Sequence, residues 1–336
     1  MISRGPDVMR QDVNMSIDGV GRQWWVRFPI ALVIAVLALV LPTAFAPSAS
    51  AQQPQESDVS ILMLGVSGLD LQAGTFDATF YLGVTCSEAC EAQDWEFVNA
   101  KRIDAQLTTE TPSQKWWRVT GTFVFQPNLR LFPFDTQRLT LVLENKNFNA
   151  EQLVYVPNIA NSEVDAGVGV PGWFTEPFSF TSTVHEYPAL DESYSQVDFT
   201  IPVGRGVLAG ITKYYIPLLI FIILGAATLV LVRSDFQIRT GGTALVALTI
   251  FYLASSGGVG IAGYLTLWDV SMLVGYLALG LVLTCGIIGA YQFHEGLHEG
   301  PEGQLKAKRQ RFGFLAAVIA VVVIGFSAIA AVAVLT

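Results

Sequence analysis

Two histidines and a glutamate stand at a spacing that could bind a metal ion. His294, Glu295 and His298 form the pattern H-E-x-x-H. On a helix, this pattern places both imidazoles on one face for Zn²⁺ and offers the glutamate as a general base. Gly296 disfavours a continuous helix there, and no aspartate follows Asp269 to supply a further acidic ligand. The sequence therefore favours two solvated histidines at a polar helix end over a membrane zinc protease, and we expect neither a metal site, a cofactor nor an enzyme.

A short turn at residues 132–135 joins two large aromatic surfaces to a carboxylate. Pro133 fixes its own φ angle and forces the chain to turn, and Phe132 and Phe134 offer apolar surface that could dock on a membrane domain. Asp135 follows them, and the next residues alternate as in a strand with one buried face. Without the apolar segments further along the chain, an ordinary turn capped by Asp135 would be the better interpretation.

The chain has 336 residues, which is long enough for two domains. The elements of these domains must position the residues described above. A first apolar run spans residues 28–46, with Arg22 and Arg27 before it and the small residues Ala49-Ser50-Ala51 after it. This pattern is typical of a signal peptide, with a retained anchor helix as the alternative. We expect a leader over residues 1–51, whose true start could be Met9 or Met15.

Residues 52–212 form an acidic, strand-rich region. They contain 20 Asp and Glu against 8 Lys and Arg, which argues against nucleic acid as a partner. The charge would attract cations, or it could simply keep the domain soluble. Short alternating segments separated by Gly, Pro, Asn and Asp predict an all-β sandwich. In an exported domain the C-x-x-x-C spacing allows a Cys86–Cys90 disulfide, while Cys285 lies in an apolar run as a small hydrophobe.

Residues 213–336 contain four apolar segments, each long enough to cross a bilayer as a helix. Basic residues lie between the first and second segments, and again between the third and fourth. Basic linkers favour the cytoplasmic side. The fold class predicted is thus an all-β extracytoplasmic sandwich followed by an all-α four-helix transmembrane domain. We expect a multi-pass membrane protein, with the N-terminal domain and the C-terminus both extracytoplasmic.

Several segments in the right order resemble the pentameric ligand-gated ion channels, or Cys-loop receptors, and among them the prokaryotic branch. They are the opening strands VSILMLGVSGLDLQAGTFDATFYLGV, WEFVNA at 95–100, WWRVTGTFVF, LRLFPFDTQRLTLVLEN, and the spacing from Arg205 to Pro217. The resemblance covers about residues 57–335. The family takes its name from two cysteines that flank the loop containing residues 132–135. Phe125 and Leu139 occupy those positions here, and prokaryotic members commonly lack the two cysteines.

The resemblance implies a homopentamer in the lipid bilayer of a bacterial inner membrane, opened by a small molecule or by protons. It implies that the turn Phe132, Pro133, Phe134 and Asp135 couples binding to gating, with Asp135 paired to Arg205. The ligand site would lie between neighbouring sandwiches, where aromatic walls suit a cation. Its expected residues are Trp95, Phe97, Trp173, Tyr187 and Tyr194, although each could instead be a core or surface contact.

The resemblance also implies that the second span lines the pore. Its register places Gly241, Leu245, Leu248, Tyr252 and Ser255 on the pore face. Helical periodicity alone permits a second face with Gly242, Leu245, Thr249, Tyr252 and Ser256, and packing against lipid and neighbouring helices is a further alternative. The acidic exterior favours cations as the permeant ions. A non-conducting receptor of the same architecture would share every one of these motifs.

Overall fold

The computed structural model describes residues 53–86, 94–230, 234–260, 262–295 and 300–335. The predicted leader of residues 1–51, Cys90 and His298 lie outside these ranges. Gln53–Thr336 belongs to one compact unit, so the contacts between its strands and its helices are contacts within a single body.

The N-terminal part of the described residues contains eleven strands. They are β1 (Gln55–Asp70), β2 (Thr75–Cys86), β3 (Trp95–Phe97), β4 (Ala100–Glu110), β5 (Gln114–Val124), β6 (Thr136–Asn145), β7 (Leu153–Pro157), β8 (Glu163–Val164), β9 (Trp173–Thr175), β10 (Ser179–Tyr187) and β11 (Glu192–Arg205). A six-stranded sheet has the order β4-β5-β2-β1-β7, with β8 also paired to β1. A five-stranded sheet has the order β10-β11-β6-β3, with β9 also paired to β11.

The two sheets share one core because alternate residues of their strands are apolar, and in each sheet these residues point toward the other sheet. In the five-stranded sheet, Leu141 pairs with Phe199 and Leu143 with Val197, and all four side chains are buried. In the six-stranded sheet, the rings of Phe76, Phe80 and Phe123 form a cluster that also includes Phe97 of β3. The predicted sandwich-like domain is therefore confirmed in this coarse form.

β4 lies at the edge of its sheet and is almost entirely exposed to solvent. Ile103 and Leu107 are exposed although they are aliphatic, because the opposite sheet ends in β3, which has only 3 residues. The sandwich is consequently open between β3 and β4.

The C-terminal part of the described residues contains four helices that are long and apolar enough to cross a membrane. They are α1 (Val207–Val230), α2 (Ser234–Ser256), α3 (Leu267–His294) and α4 (Gly300–Leu335). The chain is therefore a multi-pass membrane protein, as predicted. α1 includes a π-helical turn at Ile211–Tyr215, and its first residue follows the last strand almost directly, ahead of the domain boundary predicted at residue 212.

α3 is the central helix of the four. It is 44% buried over its most apolar stretch, against 22% or less for the other three. Its start is fixed by a capping box, in which Thr266 accepts from the backbone N–H of Asp269 while the Asp269 carboxylate accepts from the backbone N–H of Thr266. Leu267, the first residue of α3, donates its backbone N–H to the Arg130 carbonyl, which brings the start of α3 into contact with the strand domain.

Candidate functional site

The strands meet the helices at a charged pair. Nε of Arg205 donates to Oδ1 of Asp135 at 2.9 Å, and the backbone N–H of Arg205 donates to the Asp135 carbonyl at 3.2 Å. Asp135 is only 1% exposed, and its second oxygen accepts from Nε2 of Gln137 at 2.6 Å. Both carboxylate oxygens are thus hydrogen-bonded, which is the condition for keeping such a charge buried.

Aromatic rings enclose the other side of the Arg205 guanidinium. Its Cζ lies 5.1 Å from the centre of the Phe132 ring and 4.3 Å from that of Trp173, distances at which a cation is attracted to a ring face. Trp173 reaches this position because it pairs with Arg205 between β9 and β11. Trp173 therefore belongs to the strand–helix junction and lies apart from the other aromatics predicted to bind a ligand.

The predicted coupling turn docks its two phenylalanines on consecutive residues of α1. Phe132 meets Tyr214 edge-on at 5.1 Å between ring centres, and Phe134 stacks on Tyr215 at 5.5 Å. The peptide bond between Phe132 and Pro133 is cis. A methyl group at Gly210 would lie 2.6 Å from the Phe134 ring, so only glycine allows this close approach.

The residues just before the turn contact the linker between α2 and α3 and the first residue of α3. The backbone N–H of Leu129 donates to the Tyr264 hydroxyl at 2.9 Å, and that of Leu267 donates to the Arg130 carbonyl at 2.8 Å. The Arg130 guanidinium lies 5.6 Å from the centre of the Tyr264 ring. One segment of the strand domain therefore holds both α1 and the start of α3.

The face of α2 predicted to line a pore packs inside the subunit instead. Leu248 is 0% exposed, and its Cδ2 would lie 3.2 Å from a Cβ placed on Gly275 of α3. Gly241 is buried against Leu283 of the same helix. Leu, Val, Ile and Ala occur around the whole helix, so apolar periodicity alone cannot select the face that packs against α3.

The polar members of the two predicted faces are also engaged with α3. The Tyr252 hydroxyl donates to Oδ1 of Asp269 at 2.7 Å, and Nε1 of Trp268 donates to Oγ of Ser255 at 3.0 Å. Of the second predicted face, Thr249 is exposed, whereas Gly242, Leu245 and Ser256 are half-buried.

A different stripe of α2 is uncovered. Its members recur every three or four residues and are all exposed: Phe236, Arg239, Thr243, Val246, Ile250 and Leu253. Val246 and Ile250 are 61% and 63% exposed. This stripe, here called the free face of α2, is the side that can meet water, lipid or another subunit.

Tyr187 and Tyr194 lie together on the outer face of the five-stranded sheet. Their ring centres are 5.7 Å apart, and His185 packs edge-on against Tyr187 at 4.5 Å. The Tyr187 hydroxyl donates to Oε2 of Glu144 at 3.0 Å, while Nε2 of Gln196 donates to Oε1 at 2.8 Å. These bonds hold a glutamate that is only 3% exposed.

The charges around the two tyrosines are negative. Glu96 is the cross-strand partner of Glu144, and the Tyr194 hydroxyl donates to Glu192 at 2.6 Å. Burial, followed by the hydrogen bond to Glu144, raises the pKa of Tyr187. The bond to Glu192 is the main cause of the raised pKa of Tyr194. Two neutral phenols beside carboxylates form a surface suited to a cation.

Trp95 and Phe97 point to the opposite face of the same sheet. Trp95 contacts Phe97 at 5.5 Å and Trp117 of the other sheet at 5.4 Å between ring centres. The five predicted ligand residues thus occupy three separate places. Sequence reasoning missed Glu144, although its position in the alternation of β6 indicates the outer face; its neighbours there come from distant strands.

The cysteines and the histidine motif are only partly within the described residues. Cys86 is disulfide-bonded, while Cys285 is free and buried; Cys90 lies outside the described ranges. His294 ends α3, and His298 lies outside. Among the described residues, no group of three His, Cys, Asp or Glu side chains could hold a metal ion.

No protein-family model matches this sequence, and no curated protein matches it either.

Proposed function

We propose that the chain is one subunit of a homopentameric ligand-gated ion channel of the Cys-loop receptor kind, in a bacterial inner membrane. The observation that carries the proposal is the junction. The segment of residues 129–135 contacts α1 through the rings of Phe132 and Phe134, binds the linker before α3 through Leu129, and pairs Asp135 with the last residue of β11. The strand domain thus directly contacts α1, the linker between α2 and α3, and the first residue of α3.

In this proposal the free face of α2 lines the pore. Its middle is apolar, with Val246, Ile250 and Leu253 exposed on successive turns. A narrow apolar ring formed by symmetric copies excludes water and closes a pore by dewetting. Arg239 and Thr243 lie toward the other end of the same face.

The ligand would bind on the outer face of the five-stranded sheet, where a neighbouring sandwich completes the site. Tyr187 and Tyr194 offer ring faces, and Glu144, Glu192 and Glu96 make the surface negative. Ring faces and carboxylates together favour a small organic amine as the agonist. The 20 acidic residues of the domain against its 8 basic ones favour cations as the permeant ions.

Opening then follows from unequal affinity of the amine for two global states. A ligand shifts such an equilibrium only by as much as its affinity for the two states differs. The sheet that carries Tyr194 continues along β11 to Arg205, which links the binding surface to the junction within one strand.

The test is current recording from purified protein in planar bilayers during steps of small primary amines and of pH. We expect amine-evoked current in the wild type, a smaller response in Tyr187→Leu, and easier opening in Ile250→Thr, because a hydroxyl on the free face wets the pore. Leu248→Thr is the matched control on the buried face and should not open more easily. Assembly with amine binding but without current would establish a non-conducting receptor instead.

A further inference from the structure

α4 begins with a group of basic residues and continues as a long apolar helix. Lys306, Lys308, Arg309 and Arg311 precede an uncharged run that extends from residue 312 to residue 335. A helix of about 24 residues is roughly 36 Å long, which is enough to cross the hydrocarbon core of a bilayer. The basic residues of α4 therefore stand at the level of the lipid headgroups.

One face of α4 packs inside the subunit. Ile329 packs with Val274 of α3, and Val318 and Ala307 are buried at intervals of about three helical turns before it. Arg311 follows Ala307 by one turn on this side of the helix and is half-buried. Arg311 is therefore turned toward the subunit, and the other three basic residues are left to meet the surroundings.

The opposite face of α4 is exposed over about five turns. Its members recur at alternating steps of four and three residues, which places them on one line along the helix. They are Leu305, Arg309, Phe312, Ala316, Ile319 and Val323. Lys306 and Lys308 are also exposed and lie on either side of this line, next to Arg309. This surface, here called the outer face of α4, joins cations at one end to apolar side chains along the rest.

The depth of Arg309 matches that of a lipid phosphate. Arg309 precedes Phe312 by three residues, or about 4.5 Å along the helix axis, so it lies just outside the apolar run. Phe312 and Ile319 are each 54% exposed. Ala316 stands between them on the same line, and its small side chain leaves a gap that an acyl chain can occupy.

Nearby acidic residues do not neutralise the outer face of α4. Glu302 lies roughly 10 Å farther from the apolar run than Arg309 does, which exceeds one Debye length at physiological ionic strength. Asp235 and Glu295 stand at the start of α2 and just after the end of α3, and the outer face points away from α3. None of the three outward basic side chains forms an ion pair with another residue of the described ranges.

We propose that the outer face of α4 binds an anionic phospholipid. The phosphodiester lies against the Arg309 guanidinium, which offers two parallel hydrogen bonds, and Lys306 and Lys308 add charge on either side. One acyl chain of the lipid runs along Phe312 and Ile319. A zwitterionic lipid binds more weakly, because its headgroup brings a cation of its own close to this basic end. The proposal is independent of the channel function, since it concerns only the side of α4 that faces lipid.

The test is native mass spectrometry of the purified full-length protein in detergent, titrated with dioleoylphosphatidylglycerol or with dioleoylphosphatidylcholine. These two lipids have the same acyl chains and differ in net charge, and we expect phosphatidylglycerol to bind at least about tenfold more tightly. Arg309→Gln should reduce this preference about fivefold, the contribution of one basic residue at an anionic surface, and Lys308→Gln should reduce it as well. Lys213→Gln removes an equal charge from an exposed position at the other end of the membrane helices and should leave the preference unchanged.

The apolar half of the site has its own variant. Phe312→Ser should weaken the binding of both lipids at least about threefold without changing the ratio of their affinities, because acyl contacts do not depend on the charge of the headgroup. Phe293→Ser is the matched control, since Phe293 is an exposed phenylalanine near the end of α3, and it should change neither affinity. Glycerol 3-phosphate has the phosphate but no acyl chains, and an equal concentration of it should not displace the bound lipid.

Three results would overturn the proposal. They are no preference for phosphatidylglycerol, an equal effect of Arg309→Gln and Lys213→Gln on the preference, and displacement of the lipid by glycerol 3-phosphate, which would identify a site for free phosphate esters. Every variant changes an exposed side chain, and an unchanged apparent Tm in detergent verifies that each is folded. Absence of current in the channel experiment would leave these binding results unaffected.

Discussion

Asp135 and Arg205 form a buried pair at the point where the strand domain ends. Asp135 lies immediately before β6, Arg205 is the last residue of β11, and their side chains meet at 2.9 Å. The pair ties the end of β11 to the start of β6, although the two residues lie 70 positions apart in the chain. It also places the ring contacts of Phe132 and Trp173 around one guanidinium.

Removing one member of this pair should be costly. Arg205→Gln leaves the Asp135 carboxylate buried with only Gln137 as a side-chain partner, and we expect a loss of about 3–5 kcal/mol in unfolding free energy. This corresponds to a fall of roughly 10 °C in apparent Tm, measured by thermal unfolding in detergent. Asp135→Asn combined with Arg205→Met should lie closer to wild type than Arg205→Gln alone. Equal destabilisation by Arg205→Gln and by the exposed control Arg138→Gln would contradict the pair's role.

In the proposed channel, water in the pore reaches the positions on the free face of α2. Val246→Cys and Ile250→Cys should react readily with a charged, water-soluble thiol reagent in the assembled protein. Leu248→Cys should react at least about tenfold more slowly, because reaching it requires local opening that costs about 1.4 kcal/mol or more.

The native cysteines give a low background for this measurement, since Cys285 is buried and Cys86 is disulfide-bonded. Mass spectrometry of the labelled protein gives the rate at each position. Rapid labelling at Leu248→Cys with protection at Val246→Cys would contradict the proposed pore face and favour the face that the family resemblance implies.

Two glycines in the membrane helices should respond oppositely to alanine. Gly210→Ala places a methyl group 2.6 Å from the Phe134 ring, so we expect overpacking to cost about 1–3 kcal/mol and to weaken the contact between the turn and α1. Gly280→Ala has no atom within 4 Å of its new methyl group and should stabilise α3 by about 0.5–1 kcal/mol. Apparent Tm in detergent gives both signs, and a stabilising Gly210→Ala would show that the turn does not press on α1.

Asp198 should make the strand domain sensitive to pH. Its Oδ1 is buried and accepts no hydrogen bond from the described residues, and burial raises its pKa although nearby His185 opposes the change. The folded state therefore binds this proton more tightly than the unfolded chain does. The ionised form opposes folding increasingly as pH rises through the raised pKa.

Asp198→Asn removes this opposition. We expect its apparent Tm to exceed that of the wild type by a few degrees near pH 8 and to match it near pH 3, where both side chains are uncharged. Because the group is partly solvated, the gain stays small. Asp104→Asn removes an equal charge from exposed β4 and serves as the control; the same gain in both variants would mean that net charge alone is responsible.

The sequence predicted the parts of the fold that depend on local signals. Pro133 forces the turn, alternation along residues 136–144 requires a strand with one buried face, and uncharged stretches in the last third can only be membrane helices. The contact between Asp135 and Arg205 was predicted from the family resemblance, and the geometry places the two side chains together.

What local signals could not decide was which distant elements meet. The position of Trp173 depends on the pairing of β9 with β11, and that of Glu144 on side chains from β10 and β11. The buried face of α2 depends on Gly275 in another helix, which leaves room for Leu248. Tertiary packing decides which elements meet. The sequence of a helix that is apolar all round does not indicate which of its faces is buried.

Phe132 and Phe134 contact two consecutive residues of α1, Tyr214 and Tyr215. The side chains of consecutive residues point in directions roughly a quarter of a turn apart around the helix axis. Rotation of α1 about its own axis would move the two tyrosine rings in different directions, so at least one ring contact would break. Trp268, near the start of α3, also contacts both tyrosines. Rotation of α1 would therefore disturb its ring contacts with the strand domain and with α3 together.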